Sequence, residues 1–169
     1  PSIANWRQEQ ERRTRVTELP RRKILVLFSA GAVASAAGGF PGLAVAGAPV
    51  IEVVRSPDCG CCGGWIEHMR ASGFTVNVRM TDDLGPLKAQ LGVPPELHSC
   101  HTGAVGGYAI EGHVPAGDVL RLLRERPLAI GLAVPGMPLG SPGMEVGGET
   151  EPYEVILFTA SGREVFARH

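Results

Sequence analysis

The chain has 169 residues, 44% of them hydrophobic and 20% charged, so it carries enough apolar material for one packed domain, and wholesale disorder is excluded. Its formal net charge of -1 conceals a basic head and an acidic body: residues 1–47 hold seven Lys/Arg against three Glu, and the remainder nine basic against fourteen acidic side chains. An acidic body without a basic stripe excludes a nucleic-acid partner, because phosphate neutralisation supplies most of that affinity. Aromatic residues make up only 5%, while Gly (23) and Pro (14) are plentiful, which predicts a loop-rich fold on a modest core.

In chain order, residues 1–23 are polar and basic, and residues 24–51 contain no charged side chain. The densest apolar part, 24–37, has the length of a signal-peptide core, and Gly38-Gly39 and Pro41-Gly42 then break any helix. Ala44-Val45-Ala46 offers the small residues at alternate positions that signal peptidase reads. Arg21-Arg22 before the apolar run resembles a twin-arginine export signal, although Leu19-Pro20 stand where Ser or Thr is usual. The expectation is therefore an export signal over 1–46, cleaved after Ala46, followed by a domain over 47–169. The competing reading is an uncleaved membrane anchor. Both put the body in the periplasm or outside the cell, and no second apolar stretch is long enough to span a bilayer.

The body reads as alternating strands and helices. Val50-Ile51-Glu52-Val53-Val54 is β-branched and predicts a buried strand, then Ser56-Pro57-Asp58 a turn. Trp65, Ile66 and Met69 recur at helical spacing over 62–71, and Ser72-Gly73 ends that helix. Alternation over 74–78 predicts a second strand. Asp82-Asp83 mark the N-cap region of a short helix reaching Leu91. A third strand is expected over 107–111. A helix opened by Pro115 runs through Arg124, with Val119, Leu120, Leu122 and Leu123 on its core face. Residues 130–134 form a strand with no evident partner. A Gly/Pro-rich loop covers 135–148, and 153–158 with 164–166 form a terminal hairpin around Ser161-Gly162. The predicted class is an α/β sandwich.

All four cysteines fall in two clusters. Cys59-Gly60-Cys61-Cys62-Gly63-Gly64-Trp65 lies between a strand and a helix start, and Cys59 and Cys62 form a C-x-x-C pair with a third thiol inside it. Free amide N–H groups at a helix N-terminus favour thiolate, which improves nucleophilicity and metal ligation. The second cluster is His98-Ser99-Cys100-His101. An even cysteine count in an oxidising compartment also suits two structural disulfides, but neighbouring thiols make strained partners, so a metal or redox role leads. Met137 and Met144 lie in a Gly/Pro-rigid loop with no core periodicity, as donors to a metal or as ordinary packing residues. Thiolate with thioether favours Cu(I) over zinc. His113 sits at a strand-to-helix loop where a ligand would project. His68 reads as a surface residue, Glu111 as a solvated charge, and Met69 and Met80 as core and strand positions; His169, at the terminus, is uninformative.

These residues resemble the CopG-like periplasmic copper-resistance proteins, a thioredoxin-like family long catalogued as a domain of unknown function. The resemblance spans 50–144. It rests on the first cysteine motif, on Ser99-Cys100-His101-Thr102, and on Gly107-Tyr108 with Glu111-Gly112-His113-Val114-Pro115. Gly131-Leu132-Ala133-Val134-Pro135-Gly136-Met137-Pro138 and Gly140-Ser141-Pro142-Gly143-Met144 complete it. It implies a thioredoxin-like sandwich, an exported location, and copper held as a multinuclear cluster through Cys59, Cys61, Cys62 and Cys100. His101, His113, Met137 and Met144 join them as candidate ligands.

The leading expectation is a periplasmic protein that detoxifies, stores or hands on copper, holding Cu(I) and cycling it with Cu(II). Copper ions are its implied ligand, and periplasmic copper exporters or chaperones its implied partners. The rival is a thiol–disulfide oxidoreductase using Cys59 and Cys62, and a structural zinc site stands third because it leaves the methionines unexplained.

Overall fold

The computed structural model of the chain describes Gln8 and residues 47–169 except Val146. The expected export segment, Gln8 aside, lies outside the described residues. Among the described residues no helix is long and apolar enough to cross a membrane.

The β-branched run beside the first cysteine motif forms β1 (Val50–Arg55), followed by α1 (Gly60–Ala71) and β2 (Thr75–Met80). β1 and β2 pair in parallel, with Val53 opposite Val78, and α1 supplies the crossover that parallel strands need. A short α2 (Gly85–Gln90) and one 3-10 turn (Pro95–Leu97) lead to the hairpin of β3 (His101–Val105) and β4 (Tyr108–Gly112). α3 (Ala116–Glu125), β5 (Gly131–Val134), β6 (Glu154–Phe158) and β7 (Arg163–Arg168) complete the chain. The strands form one mixed sheet in the order β2-β1-β3-β4-β5-β6-β7. β3 runs antiparallel to β1 and β4, β4 and β5 are parallel, and β6 pairs antiparallel with β5 and β7. The α/β expectation, the Gly/Pro loop between β5 and β6 and the terminal hairpin are all present.

Successive strand residues point to opposite faces, and both faces are covered. Ile51, Val53, Ile110, Leu132 and Leu157 join Trp65, Ile66 and Met69 of α1 and Val119 and Leu122 of α3 in one core. Val54, Ala104, Ala109, Ala133 and Phe158 join Leu87, Leu91, Val93 and Leu97 in the other. The middle strands β3, β4 and β5 are therefore buried along their whole length.

The differences from expectation have local causes. β3 escapes a pattern search because His101-Thr102-Gly103-Ala104-Val105 is short of bulky apolar residues. Its neighbours demand small ones: a Cβ on Gly103 would stand 3.0 Å from Ile51 Cδ1. The strand at Gly131–Val134 is not isolated; its partners are β4 and β6, far apart in sequence. α1 begins at Gly60, so Cys59 takes the N-cap position and Cys61 and Cys62 the first turn. Leu84 is the N-cap of α2, while Asp83 Oδ1 accepts the Gly85 amide at 2.9 Å. Met69 is core and Met80 is a strand residue, both as expected; Met80 closes the edge strand β2 and is exposed there.

Candidate metal centre

The centre forms where β1 hands over to α1. Arg55, at the end of β1, donates from Nη1 to the Cys59 carbonyl at 2.7 Å and pins the loop that carries the first cysteine. Cys59 and Cys62 are joined as a disulfide with Cα atoms 5.5 Å apart, a separation that C-x-x-C across the first helical turn supplies without distortion. The adjacent pair Cys61 and Cys62 is unbridged, and Cys61 and Cys100 are free thiols, both half-buried.

Cys100 comes from the opposite side, just before β3, because β3 lies beside β1 in the sheet with His101 opposite Arg55. Its Sγ stands 3.6 Å from Cys62 Sγ and 3.9 Å from Cys61 Sγ, while Cys61 Sγ is 3.5 Å from Cys59 Sγ. The four sulfurs lie within 4.8 Å of one another. Burial pushes the Cys100 thiol up to about 12, and the neighbouring Cys61 adds to the shift, so the free thiol keeps its proton at neutral pH.

Two buried imidazoles close the inner side. His113 follows β4 and is fully buried. Its Nδ1 lies 2.8 Å from the Pro142 carbonyl, and Nε2 lies 3.1 Å from Cys100 Sγ. A carbonyl accepts only, so Nδ1 carries the proton and the neutral ring turns its Nε2 lone pair toward the sulfur. Burial lowers the pKa of His113, which favours that neutral form. His101 places Nδ1 3.3 Å from Cys100 Sγ and packs its ring 4.4 Å from that of Trp65. Burial, and then the nearby His113, hold its pKa well below the usual histidine value. Among the described residues its buried Nε2 finds no hydrogen-bond partner. Cys100, His101 and His113 form a second donor group within 4.8 Å that shares Cys100 with the first.

The Gly/Pro loop lies over this assembly. Gly143 has φ +87°, and a Cβ there would stand 2.5 Å from the Trp65 amide nitrogen and 2.7 Å from the Cys61 carbonyl, so only glycine allows the loop to touch the first turn of α1. That contact brings Met137 Sδ to 3.9 Å from Cys61 Sγ. Met144 enters through its backbone, its amide donating to the Ser141 carbonyl at 2.8 Å and its carbonyl accepting from Gly140 at 3.1 Å. No thioether contact of Met144 with the cysteine sulfurs occurs among the described hydrogen-bond contacts.

Two assignments change. Glu111 is fully buried rather than solvated, and accepts from Lys88 Nζ at 2.5 Å, the Ser99 amide at 2.6 Å and Thr102 Oγ1 at 2.7 Å. Burial pushes its carboxyl up from the usual range, opposed chiefly by Lys88. A signal was available, since Lys88 stands in the apolar stripe of Leu84, Leu87 and Leu91, where only a paired cation is tolerated. His68 is half-buried, and its Nε2 accepts the Ala116 amide at 3.0 Å, capping α3.

Soft sulfur donors with imidazole beside them fit copper, above all Cu(I), better than they fit a hard cation. A family profile described as "Protein of unknown function, DUF411" matches residues 97–144. A solved structure of copper resistance protein copG in its form 1 is 49% identical, covers 71% of this chain and 96% of that one, and superposes with a TM-score of 0.68. Form 2 is 48% identical over 72% of this chain and 98% of that one, with a TM-score of 0.69. No curated protein sequence matches the chain.

Proposed function

The chain belongs to the CopG-like copper-resistance family, and from that membership we propose that it binds Cu(I) in the periplasm and detoxifies, stores or hands on the metal. The observation that carries this reading is the gathering of Cys59, Cys61, Cys62 and Cys100 within 4.8 Å, two of them already free thiols. A thiol ligates as thiolate, so binding would displace the protons of Cys61 and Cys100 to solvent; Cys100 holds its proton in the absence of metal, so its ligation would make Cu(I) binding stronger as the pH rises. Opening the Cys59–Cys62 bridge takes two electrons and two protons from a thiol reductant, and makes all four sulfurs donors. His113 and His101 offer nitrogen on the inner side, and Met137 and Met144 thioether from the loop. Eight donors exceed the needs of one ion, which supports a multinuclear cluster, and imidazole beside thiolate suits both Cu(I) and Cu(II), which supports cycling. Periplasmic copper exporters or chaperones are the proposed partners.

The order β2-β1-β3-β4, with β1 and β2 parallel, β3 reversed and helices on both faces, supports a thioredoxin-like reading of this part of the sheet. Export by cleavage after Ala46 predicts Gly47, or a residue close to it, as the N-terminus of periplasmic protein. The deciding experiment is metal analysis of the purified protein and its single Cys→Ser variants after reduction and anaerobic Cu(I) loading. Stoichiometric copper that falls in the variants supports the proposal; substoichiometric copper indifferent to them sinks it.

The Cys59–Cys62 bridge at the strand–helix junction favours a second reading, a thiol–disulfide oxidoreductase. Robust insulin reduction by copper-free protein, abolished in Cys59→Ser, would promote it. Competition between Zn(II) and Cu(I) decides against or for a structural zinc site.

A further inference from the structure

Ser99 stands one residue before Cys100, and Gly136 one residue before Met137. A hydrogen bond joins the two segments, the Ser99 hydroxyl donating to the Gly136 carbonyl at 2.6 Å. The Ser99 amide is held from the other side by Glu111 Oε1 at 2.6 Å. Glu111 is itself immobilised in the core by Lys88 and Thr102, and Lys88 Nζ also donates to Thr102 Oγ1 at 2.8 Å. Gly112 makes room: its φ is +69°, and a Cβ there would stand 2.6 Å from Ser99 Oγ. A continuous set of hydrogen bonds thus runs from a buried ion pair, through one serine, to the loop that carries the exposed thioether.

Stability does not account for this arrangement. A buried ion pair gains little over apolar side chains of the same volume, because desolvation offsets its attraction. What the pair does supply is a fixed acceptor for one backbone amide beside a candidate ligand. Met137 is 51% exposed on a Gly/Pro loop, and a thioether is a weak donor whose contribution falls if its loop must be ordered on binding. Ser99 removes that cost by tying the loop to the Cys100 segment beforehand. The Ser99 oxygen lies 4.0 Å from Cys100 Sγ and gives its one hydrogen to Gly136 at the much shorter distance, so its part is to position and not to ligate.

We propose that Ser99, anchored by Glu111 and Lys88, is the positioning residue that sets Cys100 and Met137 at a common metal. The inference rests on the reading of those two residues as copper donors. Its test uses the purified protein with Ser99→Ala, Ser99→Thr, Met137→Leu and the Ser99→Ala/Met137→Leu double variant. In the metal-free protein, the amide resonances of Met137 and Cys100 shift together in Ser99→Ala and return in Ser99→Thr, which keeps the hydroxyl. In chelator competition, Ser99→Ala weakens Cu(I) binding about tenfold, the size usual for residues that orient ligands. Its stoichiometry is unchanged, and adding Met137→Leu causes no further loss. Unmoved resonances, or losses that simply multiply in the double variant, overturn the proposal. If the resonances respond as expected and the wild-type protein binds no Cu(I), the tether stands and the copper reading falls.

Discussion

The two sides of the centre are built differently. On the outer side, Cys59, Cys61 and Met137 are half-buried or exposed, and their sulfurs touch mainly other sulfurs. On the inner side His101 and His113 are fully buried, and each element is fixed by another: His113 by the Pro142 carbonyl, Ser99 by Glu111, Glu111 by Lys88. Cys100 touches both sides, with sulfur contacts to Cys61 and Cys62 and imidazole contacts to His101 and His113. The difference is one of access and fixation: the outer sulfurs are reached from solvent, while on the inner side the Pro142 carbonyl sets the tautomer of His113 and Glu111 holds the Ser99 amide in place.

The largest effect is expected where the two sides meet. Cys100→Ser removes the sulfur that stands 3.6 Å from Cys62 Sγ and 3.1 Å from His113 Nε2, so copper per chain after anaerobic loading should fall to a small fraction of the wild-type value. Retention of full stoichiometry would mean that the sides are separate sites. His113→Ala should come next, weakening Cu(I) about ten- to hundredfold in chelator competition, as losing a buried, pre-oriented nitrogen does. A wild-type affinity would reduce the inner side to packing.

The outer side should respond less. Met137→Leu with Met144→Leu should lower Cu(I) affinity by up to about tenfold and leave stoichiometry nearly intact, since thiolates hold soft Cu(I) without them. Most of that loss should come from Met137, whose sulfur is 3.9 Å from Cys61 Sγ. Equal affinity in the double variant would show that the loop merely covers the site.

The smallest effect concerns His68, which belongs to neither side and ties α1 to the start of α3. Its Nε2 must be unprotonated to accept the Ala116 amide, and burial lowers its pKa below 6.5, against a smaller upward pull from Glu145. The folded protein therefore takes up that proton less readily than the unfolded chain. The contribution is complete above pH 6.5 and is lost as the pH falls below it. His68→Gln keeps an acceptor that cannot titrate. Urea midpoints at pH 7.5 and 5.5 should fall less in the variant, by an amount equivalent to about 1 kcal/mol, the usual worth of a helix cap. An unchanged difference between the two pH values would remove His68 from the account.

The sequence by itself determined what is local. The β-branched run of β1, the helical spacing of Trp65, Ile66 and Met69, and the thiol cluster between them are short-range patterns, legible because strand period, helix period and ligand spacing all act within a few residues. The soft donor chemistry follows from residue type alone. Tertiary structure decided which donors meet. β3 was illegible because, covered on both faces and crowded by Ile51, it needs small residues and has no alternation to detect. Its place beside β1 is nonetheless what brings Cys100 to Cys62 from 38 residues away. The place of Lys88 in an apolar stripe signals a buried cation, but that its partner is Glu111, 23 residues distant, was settled by the fold, since a charge survives in the interior only with a partner that folding supplies. The tautomer of His113 is likewise settled by a carbonyl 29 residues downstream, because which nitrogen keeps the proton depends on the group it faces, and that is a property of the folded chain.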